Sequence, residues 1–129
     1  MIFSVQALKM ETDGSVWLDI AGVEEVPDGS LKEVSAGGAR LVVANHGGNF
    51  YAFQAECPHM GGPLVEGALV GAQIECPWHR YLYDLATGEN HYPRSILPAE
   101  FKRSLTRLRT HQIRCVSGRL EVKLASESA

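Results

Sequence analysis

No stretch of this chain approaches the roughly 18 to 20 uninterrupted apolar residues that a bilayer span requires. At 129 residues there is room for one hydrophobic core but not for two ordinary domains, so residues 1–129 are expected to form a single domain. Cysteine is scarce and odd in number: three residues cannot build the even disulfide framework of a small secreted scaffold, and metal binding or burial must account for them. The N-terminal run Met1-Ile2-Phe3-Ser4-Val5-Gln6-Ala7-Leu8-Lys9-Met10 lacks the basic start, sustained apolar stretch and small-residue cleavage site of a secretory signal. A soluble, cytoplasmic protein with no membrane span is the expectation. Charge of one sign is also lacking. A net charge of -3 argues against a general nucleic-acid binder. The charges are nevertheless uneven: residues 1–75 carry three Lys+Arg against ten Asp+Glu, and residues 76–129 carry nine against five.

No long helical period is present either, and what replaces it is a series of short strands punctuated by turn signals, the pattern of an all-β antiparallel sandwich or barrel. Val16–Ile20 follows the turn pair Asp13-Gly14. Leu31–Ala36 and Arg40–Asn45 flank Gly37-Gly38, and His46-Gly47-Gly48-Asn49 leads into Phe50–Gln54, which predicts three adjacent antiparallel strands. Gln73–Glu75 and Arg80–Leu85 read as two further strands closed by Thr87-Gly88. Gln112–Val116 and Leu120–Leu124 around Ser117-Gly118 predict a terminal hairpin, with Leu120, Val122 and Leu124 on one face. The stretch Asn90–Arg109, with Pro93 and Pro98, reads as a long connection, and connections of that length are often functional.

Two clusters carry the chemistry: Cys57-Pro58-His59-Met60-Gly61-Gly62-Pro63-Leu64 and Cys76-Pro77-Trp78-His79. Each supplies one thiolate and one imidazole from a tight loop, so two facing loops deliver two sulfurs and two nitrogens to one metal centre. A 2Fe-2S cluster wants four terminal ligands, two per iron, and two imidazoles on one iron favour its reduction and raise the potential. The partition gives Cys57 and Cys76 to the iron that stays ferric, and His59 and His79 to the iron that takes the electron. Gly61, Gly62, Pro63 and Pro77 suit loops whose backbone N–H groups point at sulfur. A structural zinc site is the competing reading, since zinc also takes Cys and His in pairs, although it favours two to four residues between paired ligands and the Cys-x-His step is unusual for it.

The stretch from Phe50 through Gly88, with Cys57-Pro58-His59, Gly61-Gly62-Pro63-Leu64, Cys76-Pro77-Trp78-His79 and Tyr83-Asp84-Leu85-Ala86-Thr87-Gly88, closely resembles Rieske ferredoxins and the Rieske domains of aromatic-ring dioxygenase systems. The resemblance implies a Rieske-like β fold in which a small cluster-binding subdomain of two loops, about residues 55–86, is inserted into a β base. It implies one Rieske-type 2Fe-2S cluster on Cys57, His59, Cys76 and His79, and no catalytic residue. Cytochrome bc-type members place an extra Cys in each loop, where this chain has Gly62 or its neighbour and Trp78, so the resemblance is to the ferredoxin branch. His79 is followed by Arg80-Tyr81, where ferredoxins usually carry Gly and a small residue. Tyr81 falls where high-potential members place a hydrogen-bonding Ser.

The function implied is a soluble electron carrier between a reductase donor and an oxygenase or other acceptor, with no nucleic-acid partner and no small-molecule substrate. The alternative is an enzyme component, the small Rieske subunit of a multi-subunit reductase such as a nitrite reductase. A complete oxygenase would need a mononuclear iron site with two His and one carboxylate in a second large domain, for which the chain has no room. Among the remaining residues, Cys115 is expected to be buried as a small hydrophobe. Trp17 is expected in the core and Trp78 against the cluster loops. His46, His91 and His111 are expected to be polar surface residues, and Lys102, Arg103, Arg107 and Arg109 form either a solvated face or a docking run.

Overall fold

The computed structural model describes residues 8–58, 61–78, 80–91 and 107–123. Among these, eleven strands and two short 3-10 turns form the framework, with no α-helix. The strands are β1 Leu8–Met10, β2 Val16–Gly22, β3 Leu31–Ala36, β4 Ala39–His46, β5 Asn49–Gln54, β6 Ala68–Val70, β7 Gln73–Glu75, β8 Leu82–Asp84, β9 Thr110–His111, β10 Ile113–Val116 and β11 Arg119–Lys123. They assemble into three antiparallel sheets, an outer one in the order β1-β2-β11-β10, a central one β3-β4-β5-β9, and a small one β6-β7-β8.

The central sheet follows from its turns. Gly37-Gly38 and Gly47-Gly48 all take positive φ, between 58° and 90°, as a two-residue hairpin turn demands when both central residues are left-handed. The resulting registers, Ala36↔Ala39 and His46↔Asn49, set β3, β4 and β5 side by side. β4 carries the run Leu41-Val42-Val43-Ala44, buried throughout, because this strand has a core on each face. Leu41 and Val43 point with Ala52 toward Leu18, Leu120 and Val122 of the outer sheet. Val42 and Ala44 point with Phe53 toward the small sheet, where they share a core with Ile74, Tyr83, Leu64 and the two cysteines Cys57 and Cys76.

Three strands arise where the sequence gives no signal: β1, β6 and β9. Arg80–Leu85 forms a shorter strand than its pattern suggests. β8 begins only at Leu82, because Arg80 adopts φ 58° and turns the chain back toward Cys76. β10 likewise begins at Ile113 and not at Gln112, and Leu124 lies outside the described residues, as do residues 92–106 of the long connection. The neck of that connection is described: the Leu108 N–H donates to the Gly88 carbonyl at 2.8 Å, and a Cβ at Gly88 would run into the Leu108 carbonyl. Cys115 corrects the expectation of burial. It is exposed on the edge strand β10, although Leu120 opposite it on β11 is buried.

On the far face of the outer sheet a polar network covers Trp17, which is buried as expected. The Arg114 guanidinium lies 4.0 Å from the Trp17 ring centroid, donates to Glu121 at 2.8 Å and pairs with Glu11 at 2.9 Å. Lys9 closes on the second oxygen of the buried Glu121 at 2.9 Å. These cations, Lys9 first, hold the Glu121 carboxyl below the usual carboxylate range despite its burial. A carboxyl whose pKa is depressed by folding contributes stability that is present above its unfolded value and is lost as pH falls through the folded one. Arg114→Ala is expected to cost about 2 kcal/mol at neutral pH, since it strips one of two cations from a buried carboxylate, and urea denaturation measures the loss.

Candidate metal centre

Two loops meet beside the small sheet, and they close in the same way. The Cys57 N–H donates to the Gly62 carbonyl at 2.8 Å, and the Cys76 N–H donates to the Tyr81 carbonyl at 2.8 Å, each five residues on. In each loop the residue before the closing carbonyl has left-handed backbone: Gly61 at φ 79° and Arg80 at φ 58°. Glycine takes that conformation without strain, whereas a side chain there costs roughly 1–2 kcal/mol. The first loop is anchored further by a Gly61 N–H to Cys57 carbonyl bond at 2.7 Å and by the Glu56↔Pro63 bridge.

The loops bring the two cysteines together in a dry setting. Cys57 is 2% exposed, Cys76 is 1% exposed, and neither is in a disulfide. Burial pushes the Cys76 thiol up to about 11, and the neighbouring Cys57 adds to the rise, while the Trp78 backbone N–H, donating toward the Cys76 sulfur, works the other way. Two thiols held this far from water, side by side and unbonded, are a donor set suited to iron; when iron binds, their protons must leave. His59 and His79 lie outside the described residues. By sequence they fall two residues after Cys57 and three after Cys76, within these same loops.

Beneath the pair sits Tyr83, fully buried, its hydroxyl 3.1 Å from the Cys57 sulfur. Burial holds this phenol far above its ordinary pKa, so it stays protonated and can donate to a thiolate. The Tyr81 ring stacks against it, with centroids 6.4 Å apart. Asp84 fixes the turn that follows by accepting the Ala86 and Thr87 N–H groups, both at 2.9 Å. The resemblance marked Tyr81 as the position of a hydrogen-bonding residue; the fold puts the Tyr83 hydroxyl on the Cys57 sulfur.

Gly62 and Trp78 face each other across the loops. A Cβ built on Gly62 would lie 3.0 Å from Trp78 Cδ2 and 3.1 Å from the Cys76 sulfur. Trp78 therefore packs on the loops as expected, although it remains 47% exposed. Gly62→Ala is expected to lower iron retention several-fold while leaving the β framework folded, because the added methyl would press on both the Trp78 ring and the Cys76 sulfur; iron per chain after gel filtration, alongside far-UV circular dichroism, measures it.

The other histidines are engaged elsewhere. His91 Nδ1 pairs with the Gln73 amide at 2.6 Å, and its Nε2 lies 3.5 Å from Glu89. His111 is partly buried on β9, and burial, then Arg109, pushes its pKa down. His46 ends β4 beside its Gly-Gly turn. Arg107 and Arg109 are exposed, and Lys102 and Arg103 lie outside the described residues. None of the helices in the described residues is long and apolar enough to cross a membrane.

The family model of the Rieske [2Fe-2S] domain matches residues 16–98, which include both loops and strands β3, β4 and β5 of the central sheet. The chain belongs to this family. Within it, this Rieske chain is 33% identical over 70 residues to apoptosis-inducing factor 3 of Mus musculus, covering 54% of this chain and 12% of that protein. It is 32% identical over 73 residues to the ferredoxin component of the naphthalene 1,2-dioxygenase/salicylate 5-hydroxylase systems of Ralstonia sp, covering 57% of this chain and 70% of that one. Among solved structures, a chain in the complex of reduced oxygenase and oxidized ferredoxin in carbazole 1,9a-dioxygenase superposes with a TM-score of 0.67 at 28% identity, covering 82% of this chain and 91% of that chain. The chain carries a Rieske [2Fe-2S] domain, and its cofactor is one Rieske-type 2Fe-2S cluster, not zinc; it spans only 12% of the length of apoptosis-inducing factor 3.

Proposed function

We propose that this Rieske chain is a one-electron carrier that receives an electron from a reductase and delivers it to an oxygenase or a similar acceptor, without a substrate of its own. The observation that carries the reading is the convergence of two buried, unbonded cysteines on loops of matching closure. The ferredoxin components among its relatives support it. We assign the ligands as Cys57, His59, Cys76 and His79, and we read residues 1–129 as one domain whose residues 55–86 form the cluster-binding subdomain. When bound, the cluster stores a single electron at a potential raised by its two imidazole ligands.

The protein's part is to hold that store at low reorganisation cost. Cys57 and Cys76 keep one side in the core, away from water. The Trp78 N–H and the Tyr83 hydroxyl present donors to sulfur, where they favour the more negative state. The paired loop closures fix the ligands before the electron arrives. A cytoplasmic setting suits the exposed thiol of Cys115, which a reducing compartment keeps unoxidised. The test is electron paramagnetic resonance of the dithionite-reduced protein. A rhombic signal whose average g lies below that of all-Cys ferredoxins is expected, and a colourless protein with one zinc per chain would overturn the assignment.

A further inference from the structure

Tyr83 reaches the sulfur of one loop, and the side chain packed against it comes from the other. Tyr81 is fixed at its main chain, where its carbonyl accepts the Cys76 N–H at 2.8 Å and closes the second loop. Any residue can supply a carbonyl, so the closure does not account for the ring. That ring turns to Tyr83, with the two centroids 6.4 Å apart and the planes 27° from parallel. Tyr83 is fully buried, whereas Tyr81 is only partly buried against the same core, which makes the Tyr81 ring the outer member of the pair. One path of contacts therefore joins the two loops. It runs from the Cys76 closure through the Tyr81 ring to the Tyr83 phenol, whose hydroxyl lies 3.1 Å from the Cys57 sulfur.

Resting on the electron-carrier reading, we infer that Tyr81 is a positioning residue: its ring holds the Tyr83 hydroxyl on the Cys57 sulfur and keeps water from that bond. A hydrogen bond weakens steeply when its angle opens, and it is stronger where the surroundings are dry. A ring seated beside the phenol serves both needs, since it limits the swing of Tyr83 and covers it from the solvent side. Without that ring, water gains access to the phenol and competes for its hydroxyl. The donor then favours the reduced, more negative centre less strongly. Because Tyr81 acts through Tyr83, substitutions at the two positions are not additive.

The test is a cycle of midpoint potentials, read by voltammetry on the cluster-loaded protein. In the otherwise unaltered chain, Tyr83→Phe should lower the equilibrium constant for electron uptake about tenfold. In a Tyr81→Phe background, which keeps the ring, Tyr83→Phe should retain that effect, whatever Tyr81→Phe does by itself. In a Tyr81→Ala background the effect should shrink to about threefold or less. Tyr81→Leu carries the same expectation and replaces the alanine variant should that one lose its iron. Iron per chain and far-UV circular dichroism show that each variant is folded and loaded. An equal Tyr83→Phe effect in every background would overturn the inference, as would its loss in the Tyr81→Phe background or its absence from the unaltered chain. Loss of iron from both the alanine and the leucine variants would make Tyr81 a structural residue and overturn it as well. Absence of a reversible one-electron wave from the unaltered, iron-loaded protein would instead overturn the carrier reading.

Discussion

Replacing His79 by alanine is expected to cut the cluster content of the purified protein at least tenfold, and His59→Ala is expected to do the same. On the proposed assignment each loop contributes one thiol and one imidazole, and the cysteine side is already committed to the core, where Cys57 and Cys76 are the only buried cysteines among the described residues. Removal of either imidazole leaves an iron one ligand short, and even changes to residues that merely support a ligand lower metal affinity 10- to 100-fold. Iron and sulfide per chain, the visible spectrum and the rhombic resonance should fall together. Alanine at His91, paired with Gln73, and at His111 on β9 should leave all of them in place. A variant lacking His59 or His79 that kept its full complement of iron and an unaltered resonance would remove that residue from the ligand set.

Tyr83→Phe should lower the reduction potential by about 60 mV without loss of iron. The hydroxyl reaches the Cys57 sulfur at 3.1 Å from a fully buried position, so no water can take its place without opening the core. Reduction adds negative charge to the centre, and a hydrogen bond to a charged acceptor is stronger than a neutral one by about 1 kcal/mol or more. Strengthening by about 1.4 kcal/mol on reduction corresponds to about 59 mV for one electron. The donor favours the reduced state, hence its removal moves the potential downward. Voltammetry reads the shift directly, and an unchanged potential would mean that the hydroxyl serves packing alone. Phenylalanine keeps the ring and its stacking on Tyr81, which makes this the cleaner substitution than alanine.

The parts of the structure that the sequence made legible were those written in local chemistry. Glycine pairs at 37–38 and 47–48 announced two hairpins, because only glycine tolerates both left-handed positions of such turns without strain. The run Leu41–Ala44 was recognisable as a strand, though its burial on both faces required knowing that a third sheet covers it. β1, β6 and β9 were invisible for a physical reason. They contain two or three residues each, too few to display a period, and β9 exists because β5 offers it an edge at Ala52 and Phe53. Cys115 sits on a strand whose pattern resembles burial, yet that strand is an edge strand and leaves the thiol exposed. The pairing of Tyr83 with Cys57 and the meeting of Gly62 with Trp78 span separate loops, so no spacing rule could select the tyrosine or reveal why a glycine stands at position 62.

The neck between Gly88 and Leu108 ties together the two ends of the connection that follows the cluster loops. The chain leaves and returns through a hydrogen-bonded crossing too tight for any side chain at Gly88, so the closure is made by residues of the described framework. Doubling such an excursion adds only about 0.6 kcal/mol of closure entropy. On closure entropy alone, a change in the number of residues between those two ends is therefore expected to cost the fold little.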